Sequence, residues 1–173
     1  MVRAMENETV GEGTRVVVGV DGSPESVLAL KWAETLAPAL KATITAVAAW
    51  HVEVVFGSYV VPDWDPDASA RQILADAVRE AFGDSPPEGF SGVCVRGGAA
   101  QVLIEYGKSA QMLIVGSRGH GGFVGMLLGS VSSACAEHAS CPVLVVHGPA
   151  DAAEVPLAAG ARHEDTDEPA RNG

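Results

Sequence analysis

The sequence predicts a doubly wound α/β fold: one five-stranded parallel sheet with helices on both faces. Three observations lead there. Short β-branched runs alternate with longer segments of helical periodicity. Several of those runs are apolar without a break, as in strands buried on both faces. Apolar residues make up 47 % of the 173 residues and aromatics only 5 %, which suits layers packed with small aliphatic side chains. Crossovers between parallel strands are expected to be right-handed.

Residues 1–14 carry Glu6, Glu8 and Glu12 without periodicity and read as a flexible leader. Arg15 to Val20 is the first strand, ending at Asp21-Gly22-Ser23-Pro24. Ser23 is placed to N-cap a helix whose first position Pro24 suits. Leu28, Trp32 and Leu36 recur every four residues beside Ala29 and Ala33, predicting one apolar face. Pro38 is expected to end or kink that helix. Thr43 to Trp50 is the second strand, followed by a long segment, 51–66, of a length that usually covers something.

Asp67 to Phe82 fits a second helix through Ile73, Leu74, Ala77, Val78, Ala81 and Phe82, and Pro86-Pro87 marks the break after it. Val93 to Arg96 is a short third strand. Gly97-Gly98 leads into a third helix, Ala99 to Lys108, with Val102, Leu103 and Tyr106 inward. Met112 to Val115 is the fourth strand and Ser130 to His138 the fourth helix. In Cys141 to Val146, the fifth strand, Pro142 is restricted to the start or an edge. The domain is therefore expected over 15–147, with 148–173 a disordered acidic tail.

The formal net charge of −11 argues against nucleic acid and anionic membrane surfaces as partners. It leaves a nucleotide open, because local N–H groups and a few charges can hold one. Three cysteines, Cys94, Cys135 and Cys141, form no CxxC and suit a reducing cytosol, with a redox-sensing thiol as a minor alternative. The polar start resembles no signal peptide, and no run approaches the ~18 apolar residues of a membrane span. A cytoplasmic protein is expected.

The chemistry concentrates after the fourth strand, in Gly116-Ser117-Arg118-Gly119-His120-Gly121-Gly122 and then Gly129-Ser130-Val131-Ser132-Ser133. Glycines let backbone N–H groups approach an anion, and a helix start adds free donors and the positive end of its dipole. A Walker lysine motif and the G-x-G-x-x-G spacing are both missing. What is present is G-x-x-G, nine residues, then G-S, at Gly116, Gly119, Gly129 and Ser130. From Arg15 to Val146 the chain resembles the ATP-binding subgroup of the universal stress protein family. The resemblance implies a Rossmann-like sheet of the adenine nucleotide alpha hydrolase-like kind, in strand order 3-2-1-4-5. Ligands of such sheets bind in the crevice between strands one and four.

Within that crevice, Gly116 and Gly119 bring loop N–H groups to phosphate oxygens, or else simply permit the turn. Gly129 and Ser130 hold terminal phosphates, or Ser130 is an ordinary N-cap. Val131 and Ser132 continue the first turn. Asp21 meets the sugar, the adenine edge or a phosphate-bound Mg²⁺, or else stabilises the turn at Gly22. By the same resemblance Gly19 and Val20 lie under the base, Val47 receives the adenine and Val115 borders it. Arg118 is the main cationic candidate and His120 a lesser one. His51, His138, His147 and His163 show no metal-ligand spacing. Two positions depart from the family: Gly98-Ala99, where many members carry an acid and a proline, and Gln111 in place of an aspartate. Neither is expected at the pocket.

The implied function is binding of ATP, or ADP or AMP, with Mg²⁺ through the phosphates, in a stress-response sensor or regulatory module. It acts through an unknown partner protein and as a homodimer joined at the fifth strand's edge. Whether it is an enzyme stays open. No general base or arginine finger beyond Arg118 stands out, although slow ATP hydrolysis occurs in some relatives. The rivals are a related nucleotide hydrolase or ligase, a nucleotide-independent interaction protein of the same fold, and a flavin-binding module. No internal repeat occurs, so a single domain is expected rather than a tandem pair.

Overall fold

Arg15–Gly19 forms β1, Pro24–Leu40 α1, Thr43–Trp50 β2, Pro66–Phe82 α2, Ser91–Arg96 β3, Ala99–Gly107 α3, Met112–Gly116 β4, Ser130–His138 α4 and Val143–Val146 β5. The computed structural model describes residues 14–51, 65–119 and 128–148. The leader, most of the 51–66 segment, His120 and the tail beyond Gly148 lie outside the described residues.

The strands pair in parallel in the order β3-β2-β1-β4-β5, as expected. β1 is central because Val16, Val17 and Val18 are all fully buried, and only a strand covered on both faces can carry such a run. Val17 sits beside Thr45 of β2 and Leu113 of β4. Strand alternation then divides the core in two. Val16, Val18, Ile44, Ala46 and Ile114 pack against α1 and α2. Val17, Val47, Leu113 and Val115 pack with Val102 and Leu103 of α3 and Cys135 of α4.

Helix α1 starts as expected, with Ser23 Oγ accepting from Ser26 N–H at 3.2 Å and Pro24 at its first position. Its buried face is a correction. Ser26, Val27, Ala29, Leu30, Ala33 and Ala37 face the sheet, while Leu28 and Leu36 are half-buried and Trp32 is 46 % exposed. The helix is apolar around much of its circumference, and the stripe of small residues lets it lie close to the β-sheet. Pro38 neither ends nor breaks it. It stands in the last turn on the solvent side with Glu34, whose carbonyl can turn to water, and the helix closes three residues on at Lys41, φ 50°.

Smaller differences follow the same logic. β3 begins at Ser91 rather than Val93, because Thr45 and Ala46 of β2 already pair with Ser91 and Gly92. Tyr106 is half-buried, its ring taken up by the guanidinium of Arg15 at 5.7 Å. Ile73 is 41 % exposed, whereas Ala70, Leu74 and Ala77 carry the buried face of α2. Pro142 lies just ahead of β5, where its carbonyl accepts from Leu113 N–H at 2.9 Å.

All three cysteines are free. Burial, then the neighbouring Cys141, pushes the Cys135 thiol up to about 11. Burial also raises Cys94 and Cys141. A thiol whose folded value lies above its unfolded one adds no pH dependence below about pH 9. Between about pH 9 and 11 the unfolded chain ionises first and stability falls, by about 2 to 3 kcal/mol. Urea midpoints at pH 8 and 10.5 should show this fall in the native protein and a smaller one in Cys135→Ala. Equal falls would mean that Cys135 stays accessible to hydroxide in the folded state. Reactivity follows the same physics: thiols that stay protonated make poor redox sensors.

Candidate functional site

The order of the sheet creates one crevice. β1 and β4 lie side by side, yet α1 packs on one face and α4 on the other. The segments leaving their carboxyl ends therefore diverge, and a ligand can enter between them. A cavity of about 480 Å³ opens there. That volume lies within the ordinary range for small-molecule sites, roughly 300 to 1,000 Å³.

Twelve of the residues that the sequence singles out line this cavity, and His120, the lesser cationic candidate, lies outside the described residues. Gly19, Val20 and Asp21 come from the end of β1, and Val47 from β2. Val115, Gly116, Arg118 and Gly119 continue β4, and Gly129, Ser130, Val131 and Ser132 open α4. Five further described residues join them: Ser26, Ala49, Ala99, Leu103 and Leu128. Ala49 could have been found as the next inward position after Val47 on β2. Leu103 belongs both to the core and to the lining, and the sequence marks it only for the core. Ala99 is a correction: it stands in the departure from the family pattern yet reaches the pocket, because α3 begins beside the end of β2.

The site divides by chemistry. Val47, Ala49, Leu103 and Val115 form an apolar end suited to a flat ring. The carbonyl of Val47 is already engaged, accepting from Val20 N–H at 2.9 Å. The polar end is built on backbone. Gly129, not Ser130, is the N-cap of α4, and among the described residues no side chain caps its first-turn N–H groups. The hydroxyl that could have done so, Ser132 Oγ, lies 3.0 Å from the carbonyls of both Ser117 and Gly129 and donates inward. Gly129 N–H donates to the Ser117 carbonyl at 2.7 Å, so the loop after β4 is tied to the start of α4. The free donors of α4 therefore face the cavity.

Asp21 faces that end from β1. Its Oδ1 accepts from Ser23 N–H at 3.0 Å and from Ser23 Oγ at 2.6 Å, which fixes the carboxylate. Its Oδ2 lies against Gly119, where any Cβ would run into it. Gly119 is thus required by close approach. Ser26, 2 % exposed, turns its hydroxyl back to the Ser23 carbonyl at 2.8 Å and completes the turn. Arg118 is half-exposed and lies 3.7 Å from Glu25, an ion pair the sequence did not suggest.

For a metal the donor set is thin. Among the described residues no three of His, Cys, Asp and Glu gather, and Asp21 is the one acid lining the cavity. A hard cation such as Mg²⁺ would therefore need a ligand's phosphates and water for most of its shell, with Asp21 the described carboxylate that could join it.

The comparisons with known proteins agree with one another. The model of the universal stress protein family matches residues 13–147. Universal stress protein Rv2623 of Mycobacterium tuberculosis is 37 % identical over 131 residues, covering 75 % of this chain and 44 % of that protein. The chain thus spans about half the length of the curated relatives it matches. A universal stress protein solved in complex with cAMP superposes with a TM-score of 0.60 at 26 % identity, covering 79 % of this chain and 99 % of that one. The universal stress protein UspA from Lactobacillus plantarum gives 0.60 at 21 % identity, over 77 % of this chain and 97 % of that one, a likeness of fold.

Proposed function

The chain belongs to the universal stress protein family, and from that premise we propose that it binds an adenine nucleotide in the cavity between β1 and β4. ATP with Mg²⁺ is the preferred ligand, and the bound state serves as a cytoplasmic stress-response sensor or regulatory module. One observation carries this reading: the nine-residue helix α4 presents uncapped N–H donors to a cavity with an apolar far end. An anion with a flat hydrophobic ring satisfies both ends at once. The relative solved with cAMP supports an adenine ligand for this fold, and a cyclic monophosphate is the second reading that it favours.

In this reading Val47 and Ala49 receive the base, and Asp21 meets the ribose or the metal's shell. Gly116, Gly119, Arg118, Gly129 and Ser130 take the phosphates. Hydrolysis is not part of the proposal, since among the described residues the lining offers no base for water besides the already hydrogen-bonded Asp21. The test is mass spectrometry of what acid releases from freshly purified protein, followed by calorimetry with MgATP and with cAMP. Adenine nucleotide near one per chain, or micromolar binding, supports the reading. An empty protein that binds neither ligand overturns it in favour of a nucleotide-independent interaction protein.

Assembly is proposed on separate ground. β5 ends the sheet with Val143, Leu144 and Val145 only half-buried, and an apolar edge favours pairing with a second copy. Val145→Lys should convert a dimer to a monomer in light scattering with the circular dichroism unchanged. A dimer that survives it removes β5 from the interface.

A further inference from the structure

Among the described residues Glu25 is the one acid paired with Arg118, a cation of the cavity lining, and nothing in the sequence singles it out. It stands in the first turn of α1, where a carboxylate ordinarily complements the helix dipole and faces water. Here it does not face water: its side chain is only 16 % exposed. A Cβ built on Gly116 would stand 2.8 Å from Glu25 Cβ, and one on Gly148 would stand 3.4 Å from Glu25 Oε1. Glu25 thus fills a slot between the loop after β4 and the end of β5. From that slot its Oε1 reaches Arg118 at 3.7 Å, beyond hydrogen-bond range, so the pair is electrostatic and loosely held.

Arg118 lines the cavity, and Glu25 does not. We propose that Glu25 is an affinity-setting counter-charge for the phosphate end of the site: it holds Arg118 when the site is empty and competes with the ligand's phosphates for it. This inference rests on the nucleotide reading above. The ligand must share Arg118 with Glu25, which weakens binding of anions and leaves the ring end untouched. Glu25 is therefore a positioning residue acting through Arg118. It lowers the affinity of the site, which keeps exchange fast enough for a site that reports on nucleotide level.

The test measures calorimetric affinity for MgATP and for adenosine in the full chain and in Glu25→Gln, Arg118→Gln and the double variant. Glutamine keeps the shape of Glu25, and melting curves confirm that each variant is folded. Glu25→Gln should tighten MgATP roughly fivefold, the scale of one partly exposed ion pair, and leave adenosine unchanged. In the Arg118→Gln background most of that gain should vanish. A merely structural glutamate would move adenosine and MgATP together. MgATP affinity that is unchanged or weaker in Glu25→Gln, while the native chain binds MgATP, overturns this inference alone. A native chain that binds neither adenosine nor MgATP overturns the nucleotide reading, and this inference with it.

Discussion

Gly119→Val is expected to abolish nucleotide binding, by at least about 100-fold or about 2.7 kcal/mol, with the melting temperature nearly unchanged. The reason is local. An added Cβ at this position runs into Asp21 Oδ2. Asp21 cannot swing aside cheaply, because Ser23 holds its other oxygen through both its N–H and its hydroxyl. The valine therefore either displaces Asp21 from its turn or lifts the loop away from α4, and in both cases it intrudes on the space proposed for phosphate. Because Gly119 is exposed and makes no core contact, the loop can lift at little cost to folding, about 0.5 kcal/mol. Calorimetry with MgATP, paired with a melting curve, reads both quantities. Binding within threefold of the native chain would reduce this glycine to a turn residue and shift the phosphate site toward Gly129.

Why this site was readable in the sequence while parts of the fold were not has a physical basis. The polar end is made of backbone, and backbone sites announce themselves through glycines at fixed spacing. Gly116 and Gly119 stand where a Cβ would collide, Gly129 opens α4, and the chain order of an α/β sheet brings Asp21 opposite them. Strand positions were legible for a similar reason: Val16 to Val18 can be tolerated only at the centre of a covered sheet. Side-chain placement on α1 was not. Leu28, Trp32 and Leu36 form the more conspicuous stripe, but Ser26, Leu30, Ala33 and Ala37 are the ones buried, and only the distance between helix and sheet decides between the two. Glu25 and Ala99 escaped for want of any local signal. Their roles arise from contact with Arg118 and with the end of β2, far away along the chain.

The largest effect on stability is expected from Ile114→Ala, and it separates folding from binding. Ile114 is fully buried at the middle of β4, between Val18 of β1 and Leu144 of β5, facing the α1 side of the core. Removing its branched side chain leaves a cavity that a rigid sheet cannot close, at a cost of about 3 kcal/mol. For a domain of this size that is a substantial share of the roughly 5 to 15 kcal/mol available, and it should lower the melting temperature by roughly 10 °C. Its side chain belongs to the α1 side of the core, whereas Val115 lines the cavity from the other face, so intrinsic nucleotide affinity should stay within about threefold. A ligand that binds only the folded state then restores stability by mass action. At 100 times its dissociation constant it returns about 2.7 kcal/mol, nearly the whole deficit. MgATP should thus raise the melting temperature of Ile114→Ala almost to that of the native chain without ligand. In the double variant with Gly119→Val the same addition should raise it by no more than about 1 °C, since 100-fold weaker binding leaves at most about 0.4 kcal/mol. Recovery in the double variant would show that the ligand binds elsewhere. A single variant that melts within 2 °C of the native chain would show that β4 can relax around the missing atoms, so that the strand carrying the loop is less rigid than its burial implies.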